Sequence, residues 1–232
     1  MPKRVLACVL GVAGALWLVP SAAADTATIG APAPSADVLG GTCTEPCAFF
    51  QAATDAVSPS YVVPTLPAGG GPWSVTSWSA LGGPGDSSAS LEIWRPTATA
   101  GELRLIAIGP EQPFPTNVVT SHPVSIPVLP GDHLGVLAGS DADFSPQYGT
   151  PNVGDVWIGP HPSPAVGQTT GAPSSDFYPT YGGTNVRINV AAVVTSAPAA
   201  ATPVPKKKCN KRKHKRSAQS AKKKKCKKKH KH

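Results

Sequence analysis

Between Asp37 and Thr195 no stretch keeps an apolar period of the helical kind. β-Branched and aromatic residues come instead in short runs, cut by glycine, proline, aspartate and serine. The 232-residue chain contains 23 Gly and 27 Pro. Glycine tolerates a positive φ, whereas proline fixes φ and removes a backbone donor, so both punctuate strands and turns. Runs of this length between breakers are strands. The expected strands are Cys47–Ala52, Tyr61–Leu66, Trp73–Leu81, Ser88–Arg95, Glu102–Gly109, Asn117–Ser121, Val124–Leu129, His133–Ala138, Val153–Gly159 and Asn185–Val194. Turn signals between them include Gly82 to Asp86, Pro130 to Asp132 and Tyr181 to Gly183.

Alternation assigns some faces. Leu91 and Ile93 share one side of their strand, with Glu92 and Trp94 on the other. Leu103, Leu105 and Ala107 alternate with Arg104, Ile106 and Ile108, so that strand is apolar on both sides and is expected at the centre of a sheet. Many short strands without helical crossovers imply an all-β protein, an antiparallel two-sheet sandwich of jelly-roll or Ig-like type.

Charge is strongly segregated. The formal net charge is +8. Residues 25–205 hold 13 acids against Arg95, Arg104 and Arg187, a net −10, while residues 206–232 hold 16 basic residues and no acid. The basic residues are Lys206, Lys207, Lys208, Lys211, Arg212, Lys213, Lys215, Arg216, Lys222, Lys223, Lys224, Lys225, Lys227, Lys228, Lys229 and Lys231. Such a block cannot bury a core and is expected to be disordered. It offers a polyanion-binding surface for anionic cell-envelope polymers or acidic polysaccharide. Aromatic residues are absent from it, and no base-reading motif accompanies the lysines, so sequence-specific nucleic-acid recognition has no support.

The start of the chain reads as an export signal. Lys3 and Arg4 precede the apolar run Val5–Val19, and Ala22, Ala23 and Ala24 form a small-residue cleavage site before Asp25. The run has 15 residues, short of the ~20 that span a bilayer, and no later stretch is a transmembrane candidate. The organisation is then a signal peptide at 1–24, an N-terminal linker at 25–36, a sandwich domain at 37–195, an Ala/Pro linker at 196–205 and a polycationic tail at 206–232.

Export places Cys43, Cys47, Cys209 and Cys226 in an oxidising compartment. Four cysteines allow three pairings, and local pairing is favoured because each pair sits in a segment of distinct composition. Three residues separate Cys43 from Cys47, where thioredoxin-like redox chemistry wants two, so the expectation is a structural disulfide.

Motifs for catalysis are scarce, and no catalytic, metal or cofactor site is expected. Gly85-Asp86-Ser87 resembles the opening of a GDSL-type hydrolase block, but the later Asp-x-x-His is missing and the triplet reads as a turn. His122, His133 and His161 are dispersed. Asp141 and Asp143 could offer oxygens to calcium but lack a third nearby carboxylate. Cys209, His214, Cys226 and His230 depart from metal-finger order. The one binding hint is aromatic: Trp94, Trp157, Tyr178 and Tyr181 could stack on sugar rings, against the plainer reading that tryptophans fill the core.

With its export signal, strand-rich body, Ala/Pro linker and Lys/Cys/His end, the chain resembles uncharacterised secreted proteins of high-GC bacteria. Those also carry Lys-rich ends broken by single cysteines, as at Lys206 to Cys209 and Lys222 to His230. Val75 to Trp78 and Pro130 to Gly135 are similar to strands of jelly-roll domains, carbohydrate-binding ones included. The expected protein is secreted and non-enzymatic, held at the cell envelope or matrix by its tail. The alternatives are a carbohydrate-binding module and an envelope-polymer hydrolase.

Overall fold

The computed structural model describes residues 24–35, 39–40, 46–53, 60–65, 72–85, 87–139, 144–160, 165–170 and 180–197, without the side chains of 39, 40, 157, 158, 160 and 180–183. All of these lie in the unit Met1–Ala201. Asp141 and Asp143, together with His161, Tyr178, Cys43, Cys209, Cys226 and the basic tail, fall outside the described residues.

The described residues are all-β. The strands are β1 (Thr26–Ala31), β2 (Leu39–Gly40), β3 (Cys47–Ala53), β4 (Trp73–Leu81), β5 (Ser87–Pro96), β6 (Leu103–Ile108) and β7 (Gln112–Phe114). They continue as β8 (Val119–Val128), β9 (His133–Ala138), β10 (Gln147–Gly149), β11 (Val156–Pro160), β12 (Thr180–Thr184), β13 (Val186–Ile188) and β14 (Val190–Ser196). Every strand pair is antiparallel, as expected.

One sheet runs β1-β14-β4-β8, a larger one β12-β11-β3-β9-β5-β6 with β7 beside the start of β5, and a small third one β13-β10-β2. The core lies between the first two. β4 and β14 contribute Val75, Trp78, Val190 and Val194, and β5 and β9 contribute Leu91, Ile93, Leu134 and Val136. Phe114 joins them, its ring 5.0 Å from that of Trp78 and 5.6 Å from that of Phe144. Burying each such side chain is worth about 1.5–3 kcal/mol, so this layer is the main stabilising element.

Several boundaries differ from the sequence expectation. The stretch expected as a linker, 25–36, contains β1, paired residue for residue with β14 from Thr26↔Thr195 to Ala31↔Val190. Asn117–Ser121 and Val124–Leu129 join into one strand, β8, running through Pro123 and Pro127. β8 is the outer strand of its sheet, where a missing prolyl N–H costs no ladder bond. Tyr61 and Val63 are buried, but their segment makes only an isolated bridge, Val62↔His133, before Pro64 ends it.

The expected strand Asn185–Val194 is split at Asn189 into β13 and β14, which belong to different sheets. The Asn189 side chain takes over the broken ladder. Its Oδ1 accepts from the Ala33 and Leu81 amides at 2.8 and 3.0 Å, and its Nδ2 donates to the Leu81 and Ser145 carbonyls at 2.8 and 3.1 Å.

β6 is a further correction: it is the last strand of the large sheet, not a central one. Its free side is covered by residues 165–170. The Leu105 amide donates to the Gln168 carbonyl at 3.0 Å, and the Gly167 and Thr170 amides donate to the Leu105 and Leu103 carbonyls at 2.8 Å each. Its apolar residues are taken up on both faces of the sheet: Ile106 and Ala107 pack against the main core, and Leu103 and Leu105 join a second cluster.

Candidate ligand-binding cleft

The outer face of the large sheet holds a second, smaller apolar cluster of Ala48, Phe50, Trp94, Leu103 and Leu105. Trp94, a candidate for stacking on a sugar ring, is 0% exposed, so for this residue the plainer reading of a core tryptophan holds. Its ring lies 5.1 Å from that of Phe50, and its indole N–H donates to the buried Glu92 carboxylate at 3.0 Å. Gly135 lets the indole cross the neighbouring strand, because a Cβ there would meet Trp94 Nε1 and, at 2.8 Å, the Phe49 carbonyl. Trp73 and Trp78 are buried too. Among the described residues, the large apolar side chains that remain exposed are aliphatic. Trp157 and Tyr181 lie on the adjacent strands β11 and β12, where backbone pairing sets Gly159 opposite Tyr181.

Where Trp94 closes one part of this face, a cleft of about 280 Å³ opens beside it. Phe50, Ala52 and Leu103 give it an apolar floor, while Thr97, Glu102 and His133 supply polar walls. The turn joining β5 to β6 shapes one side. The Thr97 amide donates to the Glu102 carbonyl at 3.0 Å, the Glu102 amide donates to the Thr99 carbonyl at 3.1 Å, and Gly101 takes φ +79° to close the loop.

The Thr97 hydroxyl donates to Glu102 Oε2 at 2.5 Å and accepts from the Thr99 amide at 3.1 Å. That hydroxyl holds the Glu102 carboxyl below the ordinary carboxylate range, helped by the Thr169 and Thr99 hydroxyls and the Arg104 charge and opposed by partial desolvation. Glu102 is therefore a fixed anion at the cleft edge.

The opposite wall is equally determined. His133 starts β9 and pairs with Trp94. Its Nδ1 lies 3.1 Å from the Gln51 carbonyl. A carbonyl only accepts, so Nδ1 carries a proton, which in the neutral tautomer makes Nε2 an acceptor. Beneath it, Arg95 grips Asp132 through two bonds of 2.7 and 2.8 Å, and Asp132 Oδ2 also accepts the Leu129 amide at 2.7 Å. This closes the β8–β9 turn from which His133 projects. A neighbouring hollow of about 300 Å³ is bordered by Arg95, Thr97, Arg104 and Ile106.

Other sequence candidates are engaged elsewhere. Ser87 is buried and its hydroxyl donates to the Phe114 carbonyl at 3.3 Å, a sheet contact. His122 Nε2 donates to the Pro113 carbonyl at 3.0 Å, and its ring stands edge-on to Phe114. Among the described residues, no group of three or more His, Cys, Asp or Glu side chains is placed to hold a metal ion, and no helix is long and apolar enough to cross a membrane. Sequence reasoning passed over Glu102, Thr97 and Phe50. The available signal was the triplet of Thr97, Thr99 and Glu102 in one hairpin turn, where threonine hydroxyls can organise a carboxylate.

No protein-family model, curated protein or solved structure matches the chain.

Proposed function

We propose that the chain is a secreted, non-enzymatic β-sandwich protein retained at the cell envelope or matrix by its basic tail. The carrying observation is the partition of charge, +16 over residues 206–232 against −10 over residues 25–205. Two of the body's three cations are paired and add little attraction for a polyanion. Arg95 is paired with Asp132, and Arg187 with Asp155. Attachment to phosphate-bearing or acidic polymer therefore rests on the tail, while the body is repelled by the same surface.

The export signal at 1–24 and the likeness to secreted proteins of high-GC bacteria support the location. A disulfide at Cys47 would suit an oxidising compartment. Cys43 is its proposed partner, which leaves Cys209 with Cys226 to close a loop of about 17 residues in the tail, worth roughly 3 kcal/mol in the chain-entropy account.

The test compares full-length protein with a variant ending at Pro205 on cells washed at rising salt. Full-length protein should stay bound at low salt and be released as salt rises, with the shortened variant already free. Retention of both forms would overturn the reading and assign attachment to the body.

A second reading, a carbohydrate-binding module, is favoured by one observation: the cleft of Phe50, Ala52, Leu103, Glu102 and His133 on the outer face of the large sheet.

A further inference from the structure

We propose that the cleft beside the β5–β6 turn binds a single neutral pyranose ring, free or at the end of a glycan. This deepens the carbohydrate-binding reading and is independent of retention by the tail.

The argument begins with hydrogen-bond polarity. Glu102 is ionised, so both its oxygens only accept. Thr97 spends its one hydroxyl proton on Glu102 and one lone pair on the Thr99 amide, which leaves its oxygen a single further site that can only accept. His133 spends its Nδ1 proton on the Gln51 carbonyl and offers Nε2 as an acceptor. The polar walls are thus organised as acceptors, and a complementary ligand must bring several donors.

Charge then narrows the class. An anion would meet the Glu102 carboxylate. A cation would gain less there than at an isolated carboxylate, because Arg104 already acts on Glu102 and the threonine hydroxyls already solvate it. A neutral ligand rich in hydroxyl donors satisfies both conditions.

Shape and floor supply the rest. Phe50, Ala52 and Leu103 present an apolar surface of the kind that takes the C–H face of a sugar ring. A volume of about 280 Å³ lies at the lower bound of small-molecule sites, enough for one ring but not for an enclosed chain. The turn is bonded within itself, and Asp132, bound to Arg95, fixes the turn before His133, so little ordering remains for the ligand to impose.

The experiment uses the full chain at about 0.5 M salt, where a Debye length of a few ångströms screens the tail. Methyl glycosides of glucose, galactose, mannose and N-acetylglucosamine are titrated while backbone amide shifts are followed by NMR. Saturable binding with Kd on the order of 1 mM is expected for at least one glycoside, with shifts centred on Thr97–Leu103 and His133. Glu102→Gln, which keeps the shape but removes the charge and one acceptor, should weaken it at least tenfold. No saturable binding by any of the four at about 50 mM overturns the proposal, since that is far above the expected Kd. Unchanged affinity in Glu102→Gln overturns it as well. If that variant does not fold, the wild-type shift map decides: shifts centred away from the turn and His133 refute the site, and shifts centred on them support it.

Discussion

Tyr61 sits where three parts of the polypeptide meet without a regular ladder. Its hydroxyl donates to the Ile188 carbonyl at 2.9 Å and lies 3.4 Å from the Tyr148 hydroxyl. Nearby, Arg187 and Asp155 form a buried two-bond pair at 2.8 and 3.0 Å, and Asp155 also accepts from the Thr150 hydroxyl at 2.6 Å. Burial pushes the Tyr61 phenol well above its usual range, and the adjacent Tyr148 adds to this, while the bond to Ala31 and the Arg187 charge oppose it. The raised value sets the sign of a pH effect. An unfolded tyrosine ionises near pH 10, so the native chain holds a proton that the unfolded chain releases above that point. The contribution of neutral Tyr61 is complete below about pH 10 and falls as pH rises further. Tyr61→Phe should therefore cost about 1 kcal/mol at neutral pH through the lost hydrogen bond, and the gap to wild type should narrow above about pH 10. Urea unfolding at a series of alkaline pH values measures both effects, and a gap that stays constant would contradict the assignment.

At the scale of elements, what was legible depended on whether a strand's neighbours were local or remote. Trp73–Leu81 and His133–Ala138 coincide with the expected ranges, because turn residues bound a β-rich run on both sides. β1 was missed because TATIGA between Asp25 and Pro32 has no alternation strong enough to mark a strand. It exists through six register partners in β14, more than 150 residues away in sequence. The short strands β2, β7 and β10 likewise exist only through their pairing. The sheet switch at Asn189 reads in sequence as continuous strand, since one asparagine among Val and Ile residues carries no local sign of four backbone partners. The cleft was hidden for a related reason: its floor comes from β3 and β6 and its walls from the β5–β6 turn and the start of β9, and only the sheet order brings them together. Edge position leads to a second prediction. An exposed last strand should exchange its outward amides quickly, yet the Leu105 amide is bonded to the Gln168 carbonyl at 3.0 Å. In hydrogen-exchange measurements Leu105 should be protected like the inner strands. Exchange at the rate of an open edge would mean that residues 165–170 do not cover β6.

For the whole molecule, the proposed division of labour makes attachment a quantity set by charge count. When cations on a chain neutralise fixed anions, the counterions released make log K fall linearly with log salt, with a slope proportional to the number of anions neutralised. Six to ten phosphate contacts correspond to a loss of about 10³–10⁵ in affinity between about 50 and 200 mM salt. The tail holds 16 cations, of which seven are Lys222, Lys223, Lys224, Lys225, Lys227, Lys228 and Lys229. Replacing those seven by glutamine leaves the body, the linker and all four cysteines untouched. If the tail alone carries attachment and its cations contribute alike, the slope should fall by roughly two fifths, the share of charge removed. A body contact through neutral hydroxyls, such as one at the cleft, has little salt dependence of its own. It would survive the replacement as a residual binding that persists at high salt. Plotting retention on isolated envelopes against log salt for both proteins separates the two contributions. A reduced slope with no residual is the outcome expected of electrostatic attachment, and an unchanged slope would show that these lysines do not meet the polyanion.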